Sequence, residues 1–281
     1  MIQDSFPAMG TTITVAVATT SDTDRCRRLF DDVEGRLSRF IPDSELSLLN
    51  RDPAPVVEVS ATLADVLRAA QDLRHRTNGL VDPGVGAAVV AWGYDRTFAA
   101  VTGGTAVPGR LDEPSWEISE RVMRRDPGTR IDLGGIAKGW TADLAVDLGL
   151  AHLVSAGGDI RSATDEAVVD VLDGAGNLVA RVQLGVGALA TSSVSKRRWA
   201  TEAGDANHLI DPRTMAPTVS PVVTASALCA TAAESEAAAK ATLLLGESGL
   251  RWAAGTPWIE ASMVLWHDGS VYATSGWELA A

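Results

Sequence analysis

Short alternating strands joined by tight turns are the feature that most constrains the fold of this chain. Thr11–Ala18 alternates between side-chain types as a half-buried strand does. Ser262–Trp266 and Val271–Thr274 flank an Asp268-Gly269 turn, which is the sequence signature of a two-stranded hairpin. Such hairpins outnumber clean strand–helix–strand units. The sequence therefore predicts an α+β fold with mostly antiparallel sheets and flanking helices, and not a doubly wound parallel sheet.

Apolar residues at helical spacing predict several helices between these strands. Ser44 and Ser60 stand where side-chain N-caps are expected, and Gly79 stands at a C-terminal stop. The predicted helices are residues 22–38, 45–50, a segment that follows Ser60, 137–148 and 232–245. Residues 96–114 are rich in Gly, Pro, Thr and Ala, which predicts a long surface loop or a junction between two lobes.

Charge and composition exclude several classes of function. The 281 residues carry a net charge of -12 at pH 7, which argues against a nucleic-acid partner because phosphate backbones need clustered Lys and Arg. The N-terminus lacks the features of a signal peptide, and every long apolar run is interrupted before about 18 residues. We therefore expect a cytoplasmic protein with no membrane partner. Cys26 and Cys229 lack metal-ligand spacing and are expected to be buried thiols.

The segment Ile131–Asp143 (IDLGGIAKGWTAD) is the strongest local candidate for ligand binding. Two adjacent glycines between a predicted strand and a predicted helix let backbone N–H groups approach a ligand without a Cβ in the way. The positive end of the helix dipole and the Lys138 ammonium would favour the pyrophosphate of a nucleotide cofactor. The alternative is a tight strand–helix connection with an exposed lysine. The spacing is not G-x-G-x-x-G, so a Rossmann fold gains little support.

Six further motifs occur in order around this segment. They are Met9-Gly10-Thr11, Ser38-Arg39-Phe40 with Ser44-Glu45-Leu46, Trp92-Gly93, Ala156–Asp159, Thr191-Ser192 and His208–Thr214. In this order, with DLGGIAKG intact, the chain resembles the ApbE family, the FAD:protein FMN transferases, over nearly its whole length to Gly246. The resemblance implies a single flavin-transferase domain over residues 1–281, with a T-fold-like α+β structure of two interlocked lobes.

The resemblance also implies a reaction. Members of the family cut the pyrophosphate of FAD and transfer the FMN half onto a Thr hydroxyl of a target flavoprotein, with release of AMP. Their acceptors carry the motif D-x-x-T-G-A-[ST], which this chain lacks, so self-flavinylation is not expected. Two alternatives are a non-catalytic FAD-binding protein, acting as a reservoir or sensor, and an FAD pyrophosphatase that uses water as the acceptor.

Candidate site residues follow from matching the family's motifs. His208 would act near the reacting phosphate as a base or an orienter, and a hydrogen-bonded structural histidine at a turn is its alternative role. The backbone carbonyl of Gly135 would face the Mg²⁺ that family members place on the pyrophosphate. The implied cofactor-binding positions are Met9, Phe40, Ala91, Trp92, Gly93, Asp132, Gly135, Lys138, Asp159, Thr191, Ser192 and Thr224.

The last predicted helix departs from the family pattern. Relatives place an Asp and a Thr there as oxygen ligands to Mg²⁺, whereas this chain has Glu236 and Lys240. A Glu can coordinate a metal ion, but an ammonium repels one. Lys240 could instead replace the ion against the pyrophosphate, held by Glu236 one turn earlier. Both residues therefore join His208 as candidate catalytic groups, and a solvated Glu–Lys surface pair is the alternative.

Two smaller departures lie between Thr191 and the end of the His208 motif. Lys196-Arg197-Arg198 forms a basic cluster, which could add phosphate-binding charge or could belong to a solvated loop. Met215 occupies the position after D-P-x-T, where relatives have a glycine.

Overall fold

The first two strands form a hairpin whose turn contains the Met9 motif. Strand β1 (Ile2–Ala8) pairs antiparallel with β2 (Thr11–Val17), from Ile2 opposite Val17 to Ala8 opposite Thr11. The two turn residues have positive φ, 51° at Met9 and 68° at Gly10. Two successive left-handed residues are typical of the tight turn that matches the twist of a hairpin. Methionine at the first of them is unusual, because a Cβ disfavours positive φ.

The chain, seen here in a computed structural model, divides into two compact units. The structure describes residues 1–103, 108–109, 111–173, 176–202 and 204–277. Unit 1 comprises Met1–Asp32, Lys138–Lys196 and Ser220–Ala281, and unit 2 comprises Val33–Ala137 and Arg197–Val219. Residues 96–114, the predicted loop or lobe junction, fall within unit 2, and residues 104–107 and 110 among them lie outside the described residues.

Unit 1 is built on a large antiparallel sheet that begins with β1 and β2. Its other strands are β6 (Leu153–Ala156), β7 (Asp159–Ala163), β10 (Val186–Ser193), β15 (Val222–Cys229), β16 (Ala261–Trp266) and β17 (Val271–Ala273). The order across the sheet is β1-β2-β6-β7-β10-β15-β16-β17. Every neighbouring pair is antiparallel, which confirms the predicted sheet type. A separate hairpin consists of β8 (Val168–Leu172) and β9 (Leu178–Gln183).

The helices of unit 1 pack their apolar side chains against this sheet. They are α5 (Ala137–Asp147), α6 (Ala232–Leu245), α7 (Gly249–Ala254) and the part of α1 (Thr20–Leu37) that lies in unit 1. Phe30 of α1 and Ala142 of α5 share one buried cluster with Phe6 and Ile13 of the first hairpin. Helix α6 packs on β10 and β15, and 11 of its 14 residues are buried. Its many alanines permit this close approach to the sheet.

Unit 2 has shorter elements. Strands β3 (Val56–Glu58), β4 (Trp116–Ser119) and β5 (Val122–Arg125) form a sheet in the order β3-β5-β4. Two hairpins pair β11 (Arg198–Thr201) with β12 (Gly204–Asn207) and β13 (Ile210–Asp211) with β14 (Ala216–Pro217). The helices are α2 (Glu45–Arg51), α3 (Ala61–Arg76) and α4 (Gly86–Ala91).

Side-chain caps begin two of these helices as the sequence predicted. Ser44 Oγ accepts a hydrogen bond from Ser47 N at 3.0 Å, and Ser60 Oγ accepts one from Leu63 N at 3.2 Å. Each hydroxyl satisfies a backbone N–H that has no partner within its own helix. Gly79, with φ of 80°, donates its N–H to Arg74 O at 2.8 Å where α3 ends. The predicted starts of α2 and α3 and the predicted stop at Gly79 are therefore confirmed.

Gly139 of α5 lies close to the backbone at the start of α6. A Cβ on Gly139 would lie 2.9 Å from the backbone of Ala232 and Ala233, whereas a Cβ on Gly35 in α1 would meet nothing within 4 Å. We expect Gly139→Ala to lower the free energy of unfolding by about 1–3 kcal/mol, because the two helices must separate. The matched Gly35→Ala should raise it by about 0.5–1 kcal/mol through helix propensity. Urea unfolding checks this, and equal shifts for the two variants would contradict the close packing.

Candidate functional site

Three charged side chains of unit 1 meet at one point, which we call the Lys138 cluster. Lys138 lies in the first turn of α5, Asp159 is the first residue of β7, and Glu236 lies on α6. Lys138 Nζ donates a hydrogen bond to Asp159 Oδ2 at 2.7 Å and lies 3.7 Å from Glu236 Oε1. The Lys138 side chain is 15% exposed, so the alternative of an exposed lysine on a plain connection is wrong.

Glu236 is the most constrained member of the Lys138 cluster. It is 7% exposed, which rules out the alternative of a solvated surface pair. Its Oε2 atom is buried, and no hydrogen-bond donor from the described part of the chain reaches it. Burial, followed by the negative charge of Asp159, raises the pKa of Glu236, while Lys138 and Lys240 oppose that shift. A buried carboxylate oxygen without a donor is costly, so this position favours a nearby cation.

Lys240 lies one turn after Glu236 on the same helix. Residues four apart on an α-helix share a face, and Glu before Lys is the favourable orientation for such a pair. Lys240 is half-buried, and its positive charge acts on the Glu236 carboxylate. The structure therefore brings together Lys138, Asp159 and Glu236 from α5, β7 and α6, and Lys240 follows Glu236 by one turn of α6.

A residue to which the sequence assigned no role holds α5 against α6. Asp143 Oδ1 accepts a hydrogen bond from Ala232 N at 2.7 Å, and Asp143 Oδ2 accepts one from Ala233 N at 3.0 Å. Arg161 Nε lies 3.4 Å from Asp143 Oδ1. Asp143 therefore caps the first turn of α6 from outside that helix. Its place at the end of the Ile131–Asp143 motif was the available signal, but its partners are 89 and 90 residues away.

Hydroxyl side chains of the predicted Thr-Ser motif lie on neighbouring sheet strands of unit 1. Thr191 Oγ1 on β10 and Ser226 Oγ on β15 are 2.8 Å apart and form a hydrogen bond. Thr224 Oγ1 on β15 donates to Ser193 Oγ on β10 at 3.1 Å. Ser192, between the two β10 residues, is buried. The structure therefore places Thr191, Ser192 and Thr224 on one pair of strands, and their role toward FAD remains a prediction.

Unit 2 contains an aromatic cluster around Arg39. The Phe40 and Tyr94 rings are 5.7 Å apart, and Trp199 lies 5.8 Å from Tyr94. The guanidinium carbon of Arg39 lies 4.1 Å from the Phe40 ring centroid and 4.6 Å from that of Tyr94, within cation–π distance. Sequence reasoning named Phe40 but missed the roles of Arg39 and Tyr94, because neither residue has a local signal for a ring contact.

Trp92 connects two segments of unit 2 through hydrogen bonds. Its indole Nε1 donates to Met215 O at 2.9 Å, and its own carbonyl accepts from Trp199 Nε1 at 2.8 Å. Met215 has φ of 52°, so it adopts the left-handed conformation that glycine adopts most easily. A glycine, which the family resemblance predicts at this position, would adopt this conformation without strain. Ala91 ends α4, and Gly93 follows Trp92 with φ of 100°.

The remaining predicted residues of unit 2 lie in turns. Asp132 Oδ1 accepts from Gly134 N at 2.7 Å, and Arg39 Nε lies 2.9 Å from Asp132 Oδ2. Asp132 therefore shapes the Gly134-Gly135 turn through its own side chain. His208 lies between β12 and β13, is half-buried, and donates its backbone N–H to Arg197 O at 3.2 Å. Its catalytic role remains a prediction.

The ApbE family model matches residues 9–263. The chain belongs to the ApbE family. An FAD:protein FMN transferase of Rhodobacter capsulatus is 32% identical over 237 residues, covering 77% of this chain and 45% of that relative. An FAD:protein FMN transferase of Treponema pallidum is 30% identical over 254 residues, covering 78% of this chain and 69% of that relative. This ApbE-family chain thus spans about half the length of the Rhodobacter capsulatus protein.

Solved structures of the family share the fold. The ApbE protein of Thermotoga maritima superposes with a TM-score of 0.85 at 21% identity, and the flavin transferase ApbE of Vibrio cholerae with a TM-score of 0.79 at 24% identity. Each comparison covers 98% of this chain and 97% of the other. The predicted α+β ApbE-type fold is therefore confirmed. No helix in the described ranges has both the length and the apolar character needed to cross a bilayer.

The contact between Asp143 and α6 generates a prediction about pH. Burial raises the pKa of Asp143 from 3.8 to about 6, against the lowering effect of the Ala232 and Ala233 N–H groups and of Arg161. The folded state therefore holds a proton that the unfolded state releases between pH 4 and 6, so this group stabilises the fold most at low pH. We expect the free energy of unfolding of wild type, relative to Asp143→Asn, to fall by up to about 3 kcal/mol as pH rises from 4 to 7. Urea unfolding across this pH range measures it, and a constant difference would show that Asp143 keeps an ordinary pKa.

Proposed function

We propose that this protein is an FAD:protein FMN transferase. It would move FMN from FAD onto a Thr hydroxyl of a target flavoprotein and release AMP. The observation that carries this proposal is the family match from residue 9 to 263, which contains every motif named above. The two relatives at 30% identity or more both carry this activity in their names.

The reaction needs positive charge around a pyrophosphate. The acceptor Oγ–P bond forms at the FMN phosphorus, the bond from that phosphorus to the bridging oxygen breaks, and AMP leaves with the electron pair. The hydroxyl proton passes to a base or to the leaving AMP. The Lys138 cluster supports this chemistry through the Lys138 ammonium at the start of a helix, where anions are favoured. Its two carboxylates outnumber that ammonium, so a phosphate there also needs the charge of Lys240.

The fold family implies a Mg²⁺ ion, but the residues of the last helix do not fit one. Lys240 stands where the family pattern has an oxygen ligand, and an ammonium has no lone pair to offer. Glu236 already lies 3.7 Å from the Lys138 ammonium and within the electrostatic reach of Lys240. A divalent ion beside two ammonium groups would be repelled by both. In this proposal the residues of the last helix therefore do not form a Mg²⁺ site.

The aromatic cluster of unit 2 supports FAD as the substrate. Phe40 and Trp92 are half-buried, so part of each ring is accessible to a ligand. Aromatic faces suit flat heterocycles, and FAD has two of them, the isoalloxazine and the adenine. In this proposal Phe40 and Ala91–Gly93 contact the ring ends of FAD.

His208 is proposed to act on the acceptor hydroxyl, as its base or its orienter. His208 is half-buried, and an imidazole can accept the proton of a Thr hydroxyl or orient that hydroxyl. The support is the match of His208–Thr214 to the family motif.

The transferase proposal predicts a covalent product. The protein is incubated with FAD and a flavoprotein that carries D-x-x-T-G-A-[ST], once with EDTA and once with Mg²⁺. We expect the acceptor to gain one FMN by mass spectrometry and AMP to appear in equal amount. His208→Asn should slow transfer by about 10²–10⁴-fold with little change in FAD affinity, because it removes proton transfer alone.

Three outcomes separate the alternatives. If the protein holds intact FAD tightly and releases no AMP under either condition, it is a non-catalytic FAD-binding protein and not a transferase. AMP together with free FMN in the absence of acceptor would indicate an FAD pyrophosphatase. Transfer by His208→Asn at the wild-type rate would assign His208 a structural role.

A further inference from the structure

Lysine is rare in this chain, and its distribution is uneven. Of the 24 basic residues, three are lysines, at positions 138, 196 and 240, and the other 21 are arginines. Two of the three lysines act on the same buried carboxylate, Glu236. Lysine differs from arginine in carrying a compact charge with three freely rotating donors on a flexible stem. Such an ammonium can reach phosphate oxygens in a narrow site.

The buried carboxylate explains the position of the second lysine. Glu236 Oε1 faces the Lys138 ammonium, while Oε2 is buried and receives no donor from any residue that the structure describes. Lys240 lies one turn later on the same face of α6, and its charge acts on this carboxylate. A lysine ammonium carries three donors, which can hydrogen-bond an anion.

The location favours an anion as that ligand. Lys240 is half-buried and lies on a helix that is otherwise almost wholly buried, so part of its side chain faces an accessible space. Lys138, paired with Asp159 and Glu236, supplies a second ammonium at the same carboxylate. Charge-assisted hydrogen bonds from ammonium groups to phosphate oxygens are about twice as strong as neutral ones. Two such groups match the paired phosphates of a dinucleotide.

We propose that Lys240, directed by Glu236, binds the pyrophosphate of FAD in the place of a divalent cation, so that this protein binds FAD without Mg²⁺. The inference rests on the proposed function for its ligand. It goes beyond that function in assigning a binding role to Lys240 and a positioning role to Glu236. It also predicts that chelators leave FAD binding intact.

The scarcity of lysine supplies a matched control. FAD binding is measured by isothermal titration calorimetry for wild type, Lys240→Gln, Lys240→Arg and Lys196→Gln, each with EDTA and with Mg²⁺. We expect wild type to bind FAD equally with and without Mg²⁺. Lys240→Gln should weaken binding by about 10–100-fold through loss of a charged hydrogen bond, and Lys240→Arg should restore part of it. Lys196→Gln, the same change at an exposed lysine, should stay within twofold.

A second measurement uses the unaltered protein and does not depend on any variant folding. Lysine acetylation with and without FAD, read by peptide mass spectrometry, reports on all three lysines separately. FAD should protect Lys240 and leave Lys196 reactive. Equal reactivity of Lys240 with and without FAD would overturn the proposal. A wild type that binds FAD only with Mg²⁺, or a Lys240→Gln variant that binds like Lys196→Gln, would overturn it as well.

Restoring the two oxygen ligands of the family pattern tests whether Lys240 takes the place of a metal ion. Glu236→Asp combined with Lys240→Thr puts two oxygen ligands where the chain now has a carboxylate and an ammonium. We expect this double variant to need Mg²⁺ for FAD binding, and FAD binding independent of Mg²⁺ would contradict the inference.

These results are separable from the transferase assay. If Lys240→Gln weakens FAD binding but wild type transfers no FMN to the acceptor, the proposed function is wrong and the phosphate site is supported. If transfer occurs but requires Mg²⁺ and ignores Lys240→Gln, the function stands and the inference is wrong.

Discussion

The junction between α5 and α6 is the constraint on which the charged site of unit 1 depends. Asp143 gives both carboxylate oxygens to the first two N–H groups of α6, and Gly139 removes the Cβ that would hold the two helices apart. Thr231, the N-cap residue of α6, and Glu234 in its first turn form a capping box at the same helix end. A cap of this kind stabilises a helix by about 0.5–2 kcal/mol. Here it also sets the register in which Glu236 meets Lys138.

Burial of α6 then decides what its charged residues can do. A Glu–Lys pair one turn apart on an exposed helix contributes a few tenths of a kcal/mol and has no further consequence. On α6, Glu236 is nearly removed from water and faces Asp159, so its charge must be compensated by cations close to it. Lys138 and Lys240 provide that compensation. We propose that the same two ammonium groups bind phosphate.

Unit 2 illustrates a different constraint, in which one backbone conformation supports several side chains. Met215 accepts the left-handed φ that its turn requires, and its carbonyl receives the Trp92 indole. Trp92 in turn accepts from Trp199, whose ring packs beside Tyr94. Arg39 lies over Tyr94 and pairs with Asp132, the residue that shapes the diglycine turn. The motifs of this unit are therefore joined by hydrogen bonds and ring contacts, although they are far apart in sequence.

Local physical signals in the sequence determined the fold class and the capped starts of α2 and α3, and the order of its motifs carried the resemblance to the ApbE family. Strand alternation, Ser caps and adjacent glycines act over a few residues, so they can be recognised without knowing what packs against them. Tertiary structure alone decided that Glu236 is buried, that Asp143 caps a helix about 90 residues away and that Arg39 lies over two rings. The burial of a residue and its long-range partners depend on which surfaces of the folded chain meet. The spacing of residues along the sequence does not determine those surfaces. The sequence placed Glu236 and Lys240 one turn apart, but only their burial beside Asp159 and Lys138 turns that spacing into a candidate phosphate site.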